Sequence, residues 1–392
     1  MIYNSQEYLQ IKSKIKYFLF LCIYFLLYPL CKIIYCRKNN WLICERGTDA
    51  QDNGFVFFEY LVKEHPEINC VYLIKRESAE FNKVQRIGKV VEFGSLRHFL
   101  MTIGFPVKIS SHLYGYAPWR AMALYFRRNK THDSHIFLQH GITKNDHKGL
   151  YGDACKSLSL FICGAKPEYD AIYSSFHYKN NVPQYTGFAR YDLLMNSHKK
   201  NQILIMPTWR AELSKSSESD FLLSDYYNSW NGLLNNNEFI DLCTTNGISV
   251  KFYLHFSMQK FSSLFKSEHI KVVKFGEETV QNLLKESALL ITDFSSVYFD
   301  FGYMLKPVVH YQFDEDTFYD KHYEKGYFDY RRDGFGDVCT NSSSLIDSIK
   351  KTIQSNFVIE EKYKMRIERF FLYRDNKNCE RIYNCIRNLR TK

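Results

Sequence analysis

Short apolar runs alternate with segments of helical periodicity along most of this 392-residue chain. Such alternation is typical of parallel β-sheets whose strands are joined by crossover helices. In the first half, the pattern predicts strands at residues 41–45, 70–75, 107–111, 136–139 and 160–163 and an amphipathic helix at 55–64. In the second half, it predicts strands at residues 202–206, 250–254, 270–273, 289–292 and 308–311 and a polar insertion at 211–225. The expected fold is therefore of the α/β class, with two parallel sheets.

A break in this alternation near residues 196–201 predicts a boundary between two domains. The chain is also longer than the size at which a single hydrophobic core keeps growing. We expect an apolar N-terminal segment at residues 1–40, an N-terminal domain at 41–198, a C-terminal domain at 199–356 and terminal helices at 357–392. The terminal helices could pack back on the N-terminal domain.

The N-terminal segment contains the strongest hydrophobic bias, YFLFLCIYFLLYPLC at residues 17–31, between Lys16 and Lys32. A helix needs about 20 apolar residues to span a bilayer, and no small-residue cleavage site follows this run. We therefore expect a helix that lies in the plane of the membrane, with its basic flanks against anionic headgroups. A buried core helix and a short tilted span are the alternatives.

Composition and charge narrow the classes of partner. The hydrophobic content of 45% and aromatic content of 17% exclude a disordered protein. The formal net charge of +10 is spread along the chain, which favours a phosphorylated substrate or an anionic membrane. No nucleic acid partner is expected, since the sequence has no zinc-finger spacing, no RNP-like motif and no dense basic block. The 11 scattered cysteines contain no C-x-x-C pair, which favours a reducing cytosol.

The candidate chemistry lies where the predicted strands end. In open α/β sheets, ligands bind beyond the carboxyl ends of the strands, and here these positions are unusually polar. The first half offers Glu45, Arg46, Asp49, His112, His140 and Gly141, and the second offers Thr208, Arg210, His255, Thr292, Asp293, Ser295 and Ser296. A cleft between the two halves would gather both sets. A lone histidine at such a position is usually structural, but three histidines at strand ends favour a functional site.

The segment ITDFSSVYFDF, at residues 291–301, runs from a strand end into a helix start. The first N–H groups of a helix have no intrahelical partner and carry a partial positive charge, so they can hold a phosphate. Ser, Thr and Asp are also the ordinary capping residues of any helix, which is the alternative explanation. The segment therefore indicates a phosphorylated ligand only in the company of the other polar strand ends.

Eight segments, in this order and spacing, resemble the CDP-glycerol glycerophosphotransferase family, whose enzymes build teichoic acids and related capsular polymers in bacteria. They are WLICERGTDAQDNGFVFFEYL at 41–61, KISSH at 108–112, LQHGITKN at 138–145, TGFARYDLL at 186–194, MPTWR at 206–210, ITDFSSVYFDF at 291–301, KPVVHY at 306–311 and RDNKNCERI at 374–382. The resemblance implies a GT-B-like fold of two Rossmann-like domains facing a central cleft. It also implies peripheral attachment to the cytoplasmic face of the cell membrane.

The activity implied by the resemblance is transfer of a polyol phosphate from CDP-glycerol or CDP-ribitol to a polymer or lipid-linked acceptor. His140 is then the candidate base, because it matches the family's His-Gly histidine and imidazole titrates near neutral pH. Gly141 would let the backbone approach closely. The alternative is that His140 only positions the acceptor. Contact with the acceptor is expected from Glu45, Arg46, Asp49, His112 and Arg190.

Each of these acceptor-side residues could instead have a purely structural role. Glu45, Arg46 and Asp49 could form a solvated loop. Arg190 could form an interdomain ion pair with Asp192.

On the donor side, Arg210 is expected to grip phosphate oxygens in a bidentate fork, with Thr208 adding a hydroxyl. His255 corresponds to a family histidine that binds phosphate, and with His140 it is the second candidate catalytic residue. The family usually has His-Pro where this chain has His255-Phe256. Thr292, Ser295 and Ser296 would complete the phosphate cradle. Asp293 or Asp300 would orient a polyol, a ribose or a histidine.

No metal or other cofactor is expected, because no H-x-x-x-H, D-x-D or carboxylate cluster of ligand spacing stands out. Two other functions stay open. One is a GT-B sugar transferase that uses a nucleotide sugar, and the other is a membrane-bound scaffold without activity. The sequence does not indicate which polyol is carried or what the oligomeric state is.

Overall fold

The computed structural model describes residues 3–152, 155–178, 181–195, 200–321 and 324–389. They form two compact units. Unit 1 contains the chain up to His140, residues 147–192 and the chain from Lys377, and unit 2 contains residues 141–146 and 193–376. Most of the predicted boundary, residues 196–199, lies outside the described residues. The boundary between the units lies between residues 192 and 193. Of the predicted terminal segment, residues 357–376 belong to unit 2 and the chain from Lys377 belongs to unit 1.

The elements are numbered in chain order. The strands are β1 Asn40–Cys44, β2 Asn69–Ile74, β3 Val90–Glu92, β4 Val107–Ser110, β5 Ser134–Phe137, β6 Leu158–Cys163, β7 Pro183–Tyr185, β8 Gln202–Ile205, β9 Ser249–Phe252, β10 Lys271–Val272, β11 Leu289–Thr292, β12 Val308–Tyr311 and β13 Gly336–Cys339. The α-helices are α1 Tyr3–Tyr35, α2 Asn53–Glu64, α3 Phe81–Ile87, α4 Leu96–Gly104, α5 Arg120–Arg128, α6 Lys148–Tyr151, α7 Lys166–Ser175, α8 Glu218–Leu222, α9 Asp225–Leu234, α10 Asn237–Thr245, α11 Val280–Glu286, α12 Val297–Tyr303, α13 Glu315–Lys321, α14 Tyr330–Asp333, α15 Ser342–Gln354, α16 Glu361–Phe370 and α17 Asn378–Asn388. Short 3₁₀ turns occupy Ala189–Leu193, Leu213–Lys215 and Phe256–Leu264.

Each unit is built on a parallel sheet. In unit 1 the described strands follow the order β3-β2-β1-β4-β5-β6-β7, and in unit 2 they follow β10-β9-β8-β11-β12-β13. Strands β1, β4, β8 and β11 are buried along their whole length, as expected for strands covered by helices on both faces. In each sheet, the chain adds strands outwards on one side of the strand that comes first in sequence, β1 or β8, and then adds the remaining strands on its other side. The switch points, between β1 and β4 and between β8 and β11, are where such sheets bind ligands.

Several helices begin at residues whose side chains accept a hydrogen bond from the first turn. These residues are Ser95 for α4, Ser224 for α9, Asn236 for α10, Thr279 for α11 and Asn341 for α15. Each satisfies one of the N–H groups that a helix start leaves unpaired. Local sequence therefore explains where these helices begin.

Helix α1 is longer than the predicted apolar segment, because it extends over 33 residues. One of its faces packs on α4 and α5 through the buried side chains of Phe20, Tyr24 and Cys31. The opposite face is apolar and exposed, with Leu26 at 78% and Ile33 at 81% exposure. The exposure of this face does not fit the alternative of a buried core helix.

Among the described helices, the part of α1 from Lys16 to Tyr35 is long and apolar enough to cross a membrane, with 20 residues and a mean hydropathy of 2.0. The predictions that α1 lies in or spans a membrane stay predictions.

The sequence pattern missed the strands β3, β7 and β13, which have only three, three and four residues. All three are partly exposed and lack a continuous apolar run, and β7 begins with a proline, as edge strands tolerate. The polar insertion predicted at residues 211–225 contains α8, whose Phe221 is buried. The ring of Phe221 stacks on Phe261 with centroids 4.0 Å apart, so this segment contributes to the core of unit 2.

Candidate functional site

The carboxylate of Glu45 lies at the end of β1 under the first turn of α2. It is 1% exposed and accepts hydrogen bonds from the N–H groups of Gln51, Asp52 and Phe55 at 3.0, 2.9 and 2.9 Å. Burial and the charge of Asp52 raise the pKa of Glu45 to about 7, and the three N–H groups oppose this. Glu45 therefore holds the start of α2. Its burial contradicts the alternative of a solvated loop for this residue, and its predicted acceptor contact stays a prediction.

Two histidine rings of unit 1 stack on each other beyond β4 and β5. The centroids of His112 and His140 are 4.8 Å apart and the rings are 10° from parallel. Arg46 Nε donates to His112 Nε2 at 2.8 Å, which leaves the proton of the neutral ring on Nδ1. Burial, followed by the charges of His140 and Arg46, lowers the pKa of His112 to about 2. The ring of His112 is therefore neutral and stacks on the ring of the exposed His140.

The predicted roles of Arg46 and Asp49 depend on a loop that is open to solvent. Their side chains are 50% and 40% exposed, and Arg46 Nε lies 3.9 Å from a carboxylate oxygen of Asp49. The contact of Arg46 with His112 places it beside the histidine pair. An acceptor contact by either residue stays a prediction.

His140 follows a residue with strained backbone geometry. Gln139 has a φ of +59°, in the left-handed region that non-glycine residues seldom adopt, and is 1% exposed. Its amide nitrogen donates to Ile162 O at 2.6 Å and to Glu168 Oε1 at 3.0 Å, while Asn53 Nδ2 donates to its carbonyl at 2.8 Å. Such strain persists only where several contacts fix it, and it clusters at functional sites. The clamp on Gln139 fixes the backbone that presents His140.

Arg190 is bound within unit 1. Its guanidinium donates to Asp52 Oδ1 at 2.9 Å, and its backbone N–H donates to Asn53 Oδ1 at 3.0 Å. Asp192 instead accepts hydrogen bonds from the N–H groups of Asn378 and Cys379 at the start of α17, both at 2.9 Å. The alternative of an interdomain pair between Arg190 and Asp192 is therefore wrong. Arg190 supports the start of α2, and its predicted acceptor contact has no support in these hydrogen bonds.

In unit 2, Arg210 is buried and its guanidinium is occupied by carboxylates. Nε and Nη2 donate to Asp314 at 2.9 and 3.0 Å, and Nη2 also donates to Asp293 Oδ2 at 2.8 Å. Nη1 donates to the carbonyl of Thr208 at 3.0 Å. The bidentate fork predicted for a phosphate is therefore formed with Asp314. Arg210 binds the loops around the site together, and its predicted contact with the donor stays a prediction.

Thr292 and Asp293 are also internal supports. Thr292 is fully buried, and its hydroxyl donates to Met206 O at 2.7 Å, which joins the ends of β11 and β8. Asp293 Oδ1 accepts from the N–H groups of Thr208 and Phe294, each at 2.7 Å. Asp293 is fully buried and both its oxygens accept hydrogen bonds within the protein, and its predicted role of orienting a polyol, a ribose or a histidine stays a prediction. Asp300 is buried on α12 at 5% exposure, and its predicted role stays a prediction.

The loop between β11 and α12 is held from beneath by three polar side chains. His310 Nδ1 and Gln312 Nε2 hydrogen-bond to the carbonyl of Asp293 at 3.2 and 3.1 Å. Lys144 Nζ donates to the carbonyl of Phe294 at 2.7 Å, and burial lowers the pKa of Lys144 to about 8. These three contacts turn two successive carbonyl groups towards the protein interior.

The hydroxyl groups of this loop remain accessible. Ser295 and Ser296 are half-buried, and Ser296 caps α12 without a side-chain hydrogen bond to it. Thr208 Oγ1 is buried and has no hydrogen-bond partner among the described residues. Gly141 approaches closely, since a Cβ there would lie 3.0 Å from Ser296 Oγ. Ser295 and Ser296 are therefore the predicted phosphate ligands with accessible side chains, and the role predicted for Thr208 stays a prediction.

His255 lies half-buried after β9 and stacks on the neighbouring Trp209. The ring centroids are 5.9 Å apart and the rings are 18° from parallel. The N–H of Ser257 donates to His255 Nδ1 at 3.2 Å, so the proton of the neutral ring is on Nε2. An N–H donor of this kind suits a phosphate oxygen, and the predicted role of His255 stays a prediction.

Sequence reasoning missed Gln139, Lys144, His310, Gln312 and Asp314. Some signal was present, because His310 and Gln312 are polar residues at the end of an otherwise apolar strand. Gln139 precedes His140 directly, but nothing in the sequence shows its positive φ.

In the part of the chain that the structure describes, no group of three or more His, Cys, Asp and Glu side chains could hold a metal ion.

Similarity to a protein family and to known proteins extends over most of the chain. The family model described as CDP-Glycerol:Poly(glycerophosphate) glycerophosphotransferase matches residues 30–388. The minor teichoic acid biosynthesis protein GgaB of Bacillus subtilis strain 168 is 34% identical over 366 residues, which are 90% of this chain and 40% of that protein. A teichoic acid poly(glycerol phosphate) polymerase of the same strain is 21% identical over 379 residues, which are 89% of this chain and 49% of that protein. This chain therefore spans less than half the length of these two relatives.

Among solved structures, the wall teichoic acid polymerase TagF has a similar fold. The TM-score is 0.70 at 16% sequence identity, and the match covers 97% of this chain and 98% of that chain. With the two parallel sheets, this likeness confirms the predicted α/β, GT-B-like fold class.

Proposed function

Because the chain belongs to the CDP-glycerol:poly(glycerophosphate) glycerophosphotransferase family, we propose that it transfers a polyol phosphate from a CDP-activated donor to a hydroxyl group of a teichoic-acid-like or capsular polymer. The donor is CDP-glycerol or CDP-ribitol, and CMP is released. The acceptor is a polymer or lipid-linked chain at the cytoplasmic face of the membrane, where the exposed apolar face of α1 would keep the protein.

The observation that carries this proposal is the presentation of His140. Its side chain is exposed, stacks on a neutral imidazole and follows a clamped residue with positive φ. Backbone strain at such a position is typical of residues held ready for chemistry. A histidine kept in one orientation and accessible to a substrate hydroxyl can serve as a general base.

The reaction balances with one proton transfer. The acceptor oxygen forms a bond to the donor phosphorus that bears the polyol, while the bond from that phosphorus to the bridging oxygen of CMP breaks. CMP leaves with the electron pair of that bond, and His140 takes the proton of the acceptor hydroxyl. Transfer of phosphoryl groups depends mainly on positioning and electrostatic stabilisation, so the groups that hold the donor matter as much as the base.

In unit 2, we assign donor binding to Thr208, His255, Ser295 and Ser296. Their hydroxyl and N–H groups suit the diphosphate oxygens, which accept hydrogen bonds. Arg210 acts through its neighbours, because its fork to Asp293 and Asp314 fixes the backbone at residues 208 and 293. Arg210 is therefore a positioning residue in this proposal. The sequence prediction that both sets of residues work in one cleft stays a prediction.

The test is nucleotide release by the purified protein: CMP from CDP-glycerol, CDP-ribitol or a CMP-sugar, and UDP from a UDP-sugar, each with a glycerol phosphate acceptor. We expect CMP from a CDP-polyol, and His140→Ala should lower kcat by about 10²- to 10⁴-fold, the usual contribution of a general base. His132→Ala, at an exposed histidine of the same unit, is the matched control and should leave kcat unchanged.

Other outcomes would point to the other functions. Turnover of a nucleotide sugar alone would show a sugar transferase. Absence of turnover, with polymer production in cells intact in the His140→Ala variant, would show a scaffold without activity.

A further inference from the structure

A cavity of about 340 Å³ lies in unit 1 beside His140. Helix α5 supplies Arg120, Ala123, Leu124 and Arg127 to its wall, and His112 and His140 border it. The reaction described above uses only the two histidines of this wall. The four residues of α5 therefore need a separate explanation.

The spacing along α5 explains why these residues share a wall. Residues at i, i+3, i+4 and i+7 lie on one face of a helix, which is the spacing of Arg120, Ala123, Leu124 and Arg127. Met122 and Phe126 are buried, and the Tyr125 ring contacts the Tyr24 ring of α1 with centroids 4.9 Å apart. One side of α5 thus packs on the core and α1, and another faces the cavity.

The cavity is positively charged. Arg120 and Arg127 have no carboxylate partner among the described residues, and no Asp or Glu appears in the described lining. Arg127 Nη2 donates to Gly149 O at 2.8 Å, which uses one of the five N–H donors of its guanidinium. His112 is neutral because burial lowers its pKa to about 2. Two guanidinium groups without a carboxylate partner lie beside apolar side chains. They favour a ligand that has both an anionic group and an apolar carbon skeleton.

We propose that this cavity binds the end of the acceptor chain, with Arg120 and Arg127 gripping the phosphodiester nearest to the reacting hydroxyl. This inference rests on the function proposed above and names the acceptor class of that site. The carbon skeleton of the terminal unit packs on Ala123 and Leu124, and its free hydroxyl faces His140. The two arginines are about 10 Å apart along the helix axis, since each residue adds 1.5 Å, and their long side chains can converge on one phosphodiester.

The phosphodiester has two possible sources, the repeating unit of a polymer and the phosphate of a lipid carrier. Three acceptor probes separate them: a glycerol phosphate dimer, an alkyl phosphate that carries one terminal glycerol, and a diglycerol ether of similar length without phosphate. A lower KM for the first two than for the third identifies the shared phosphodiester chemistry. Preference for the alkyl phosphate over the dimer would assign the cavity to the lipid-proximal phosphate.

The experiment measures acceptor KM, donor KM and kcat of the full chain with each probe. The Arg120→Ala/Arg127→Ala variant should raise KM for phosphodiester acceptors by at least about tenfold, the effect of losing one strong contact. KM for the diglycerol ether, KM for CDP-glycerol and kcat should change by less than a factor of two. Arg128→Ala is the matched control, because Arg128 is the exposed neighbour on the same helix and does not line the cavity.

A second variant tests the cavity independently of charge. Ala123→Phe places a ring in the cavity and should weaken all three acceptors while donor KM is unchanged. Equal KM values for the double variant and wild type, or an equal rise for the probe without phosphate, would overturn the inference.

If wild-type protein releases no CMP from any CDP-polyol, the proposed function fails. Calorimetric titration with the glycerol phosphate dimer then tests the cavity alone. The affinity of the protein for the dimer must fall in the double variant and stay unchanged in Arg128→Ala.

Discussion

Gln139 and Arg210 hold candidate site residues in position with polar groups that never reach solvent. Gln139 is 1% exposed and directly precedes the exposed His140, and Arg210 is 2% exposed and donates to the backbone carbonyl of Thr208. Buried polar groups of this kind are costly unless every partner is present, and fully satisfied networks fix a unique geometry. At the residue scale, the accessible hydroxyl and imidazole groups depend on buried side chains that touch no substrate.

The first residue-scale prediction concerns the positive φ of Gln139. Both Gln139→Ala and Gln139→Gly lose the amide clamp to Ile162 and Glu168, so His140 should be less well positioned. Since misplacement of a catalytic group is costly, kcat should fall at least about tenfold in both variants, with donor KM unchanged. Glycine tolerates positive φ, so the Gly variant should be more stable than the Ala variant by about 1 kcal/mol in urea unfolding. Equal stability of the two would show that the strain is absent.

The second prediction is a pH dependence that arises at His310. Burial lowers its pKa to about 4, below the ordinary value of 6.5, so between these values the unfolded chain binds a proton that the folded chain does not. Stability therefore decreases as the pH falls from 6.5 towards 4. Relative to His310→Gln, wild type should lose about 2 kcal/mol more unfolding free energy between pH 7 and pH 5. Urea unfolding at both pH values measures this, and parallel losses in the two proteins would contradict it.

At the element scale, a buried charge cluster joins α1 to the sheet of unit 1. Asp133, just before β5, accepts from Lys32 of α1 at 2.5 Å and from Lys108 of β4 at 2.8 Å. Burial opposes ionisation of Asp133, but the two lysines prevail and lower its pKa. Burial also lowers the pKa of Lys108 to about 8. One carboxylate thus balances two cations from different elements.

Removal of that carboxylate should be severe. Asp133→Asn leaves Lys108 as an unpaired charge at 0% exposure, and loss of one partner of a buried pair costs about 3 to 5 kcal/mol. Lys32→Gln should have a smaller effect, since the Lys32 side chain is 17% exposed and Asp133 keeps its contact with Lys108. We expect faster hydrogen exchange confined to α1 in Lys32→Gln and lower global stability in Asp133→Asn. Similar global losses in both variants would show that α1 does not detach separately.

Elements with long apolar periodicity were predictable, and most of the polar contacts around the site were not. The helix predicted at residues 55–64 is α2, and the long buried strands of both sheets lie where the apolar runs indicate. Arg210 was predicted to bind phosphate because an arginine after a strand suits that role. Its partner Asp314 is 104 residues away in sequence, and no local pattern reveals this contact. Short-range periodicity reports burial, whereas the pairing of side chains depends on the completed fold.

At the scale of the whole molecule, charge and apolar surface favour the same kind of partner. The formal net charge is +10, and Leu19, Ile23, Leu26, Leu30 and Ile33 form an exposed stripe at i, i+4, i+7, i+11 and i+14 on α1. A stripe at this spacing faces one direction along a helix. Anionic lipid would meet both features, because basic residues are attracted to its headgroups and apolar residues enter its acyl boundary.

The whole-molecule prediction is binding to vesicles that contain anionic lipid. Wild-type protein should sediment with such vesicles and bind less at high salt, since screening weakens the charge attraction. Leu26→Glu/Ile33→Glu should abolish sedimentation without lowering unfolding free energy by more than about 0.5 kcal/mol, because both side chains are exposed. Leu223→Glu is the control, since Leu223 is 81% exposed at the end of α8 and does not belong to the stripe. This substitution should leave vesicle binding intact. If the double variant sediments like wild type, the stripe on α1 is not the membrane-binding surface.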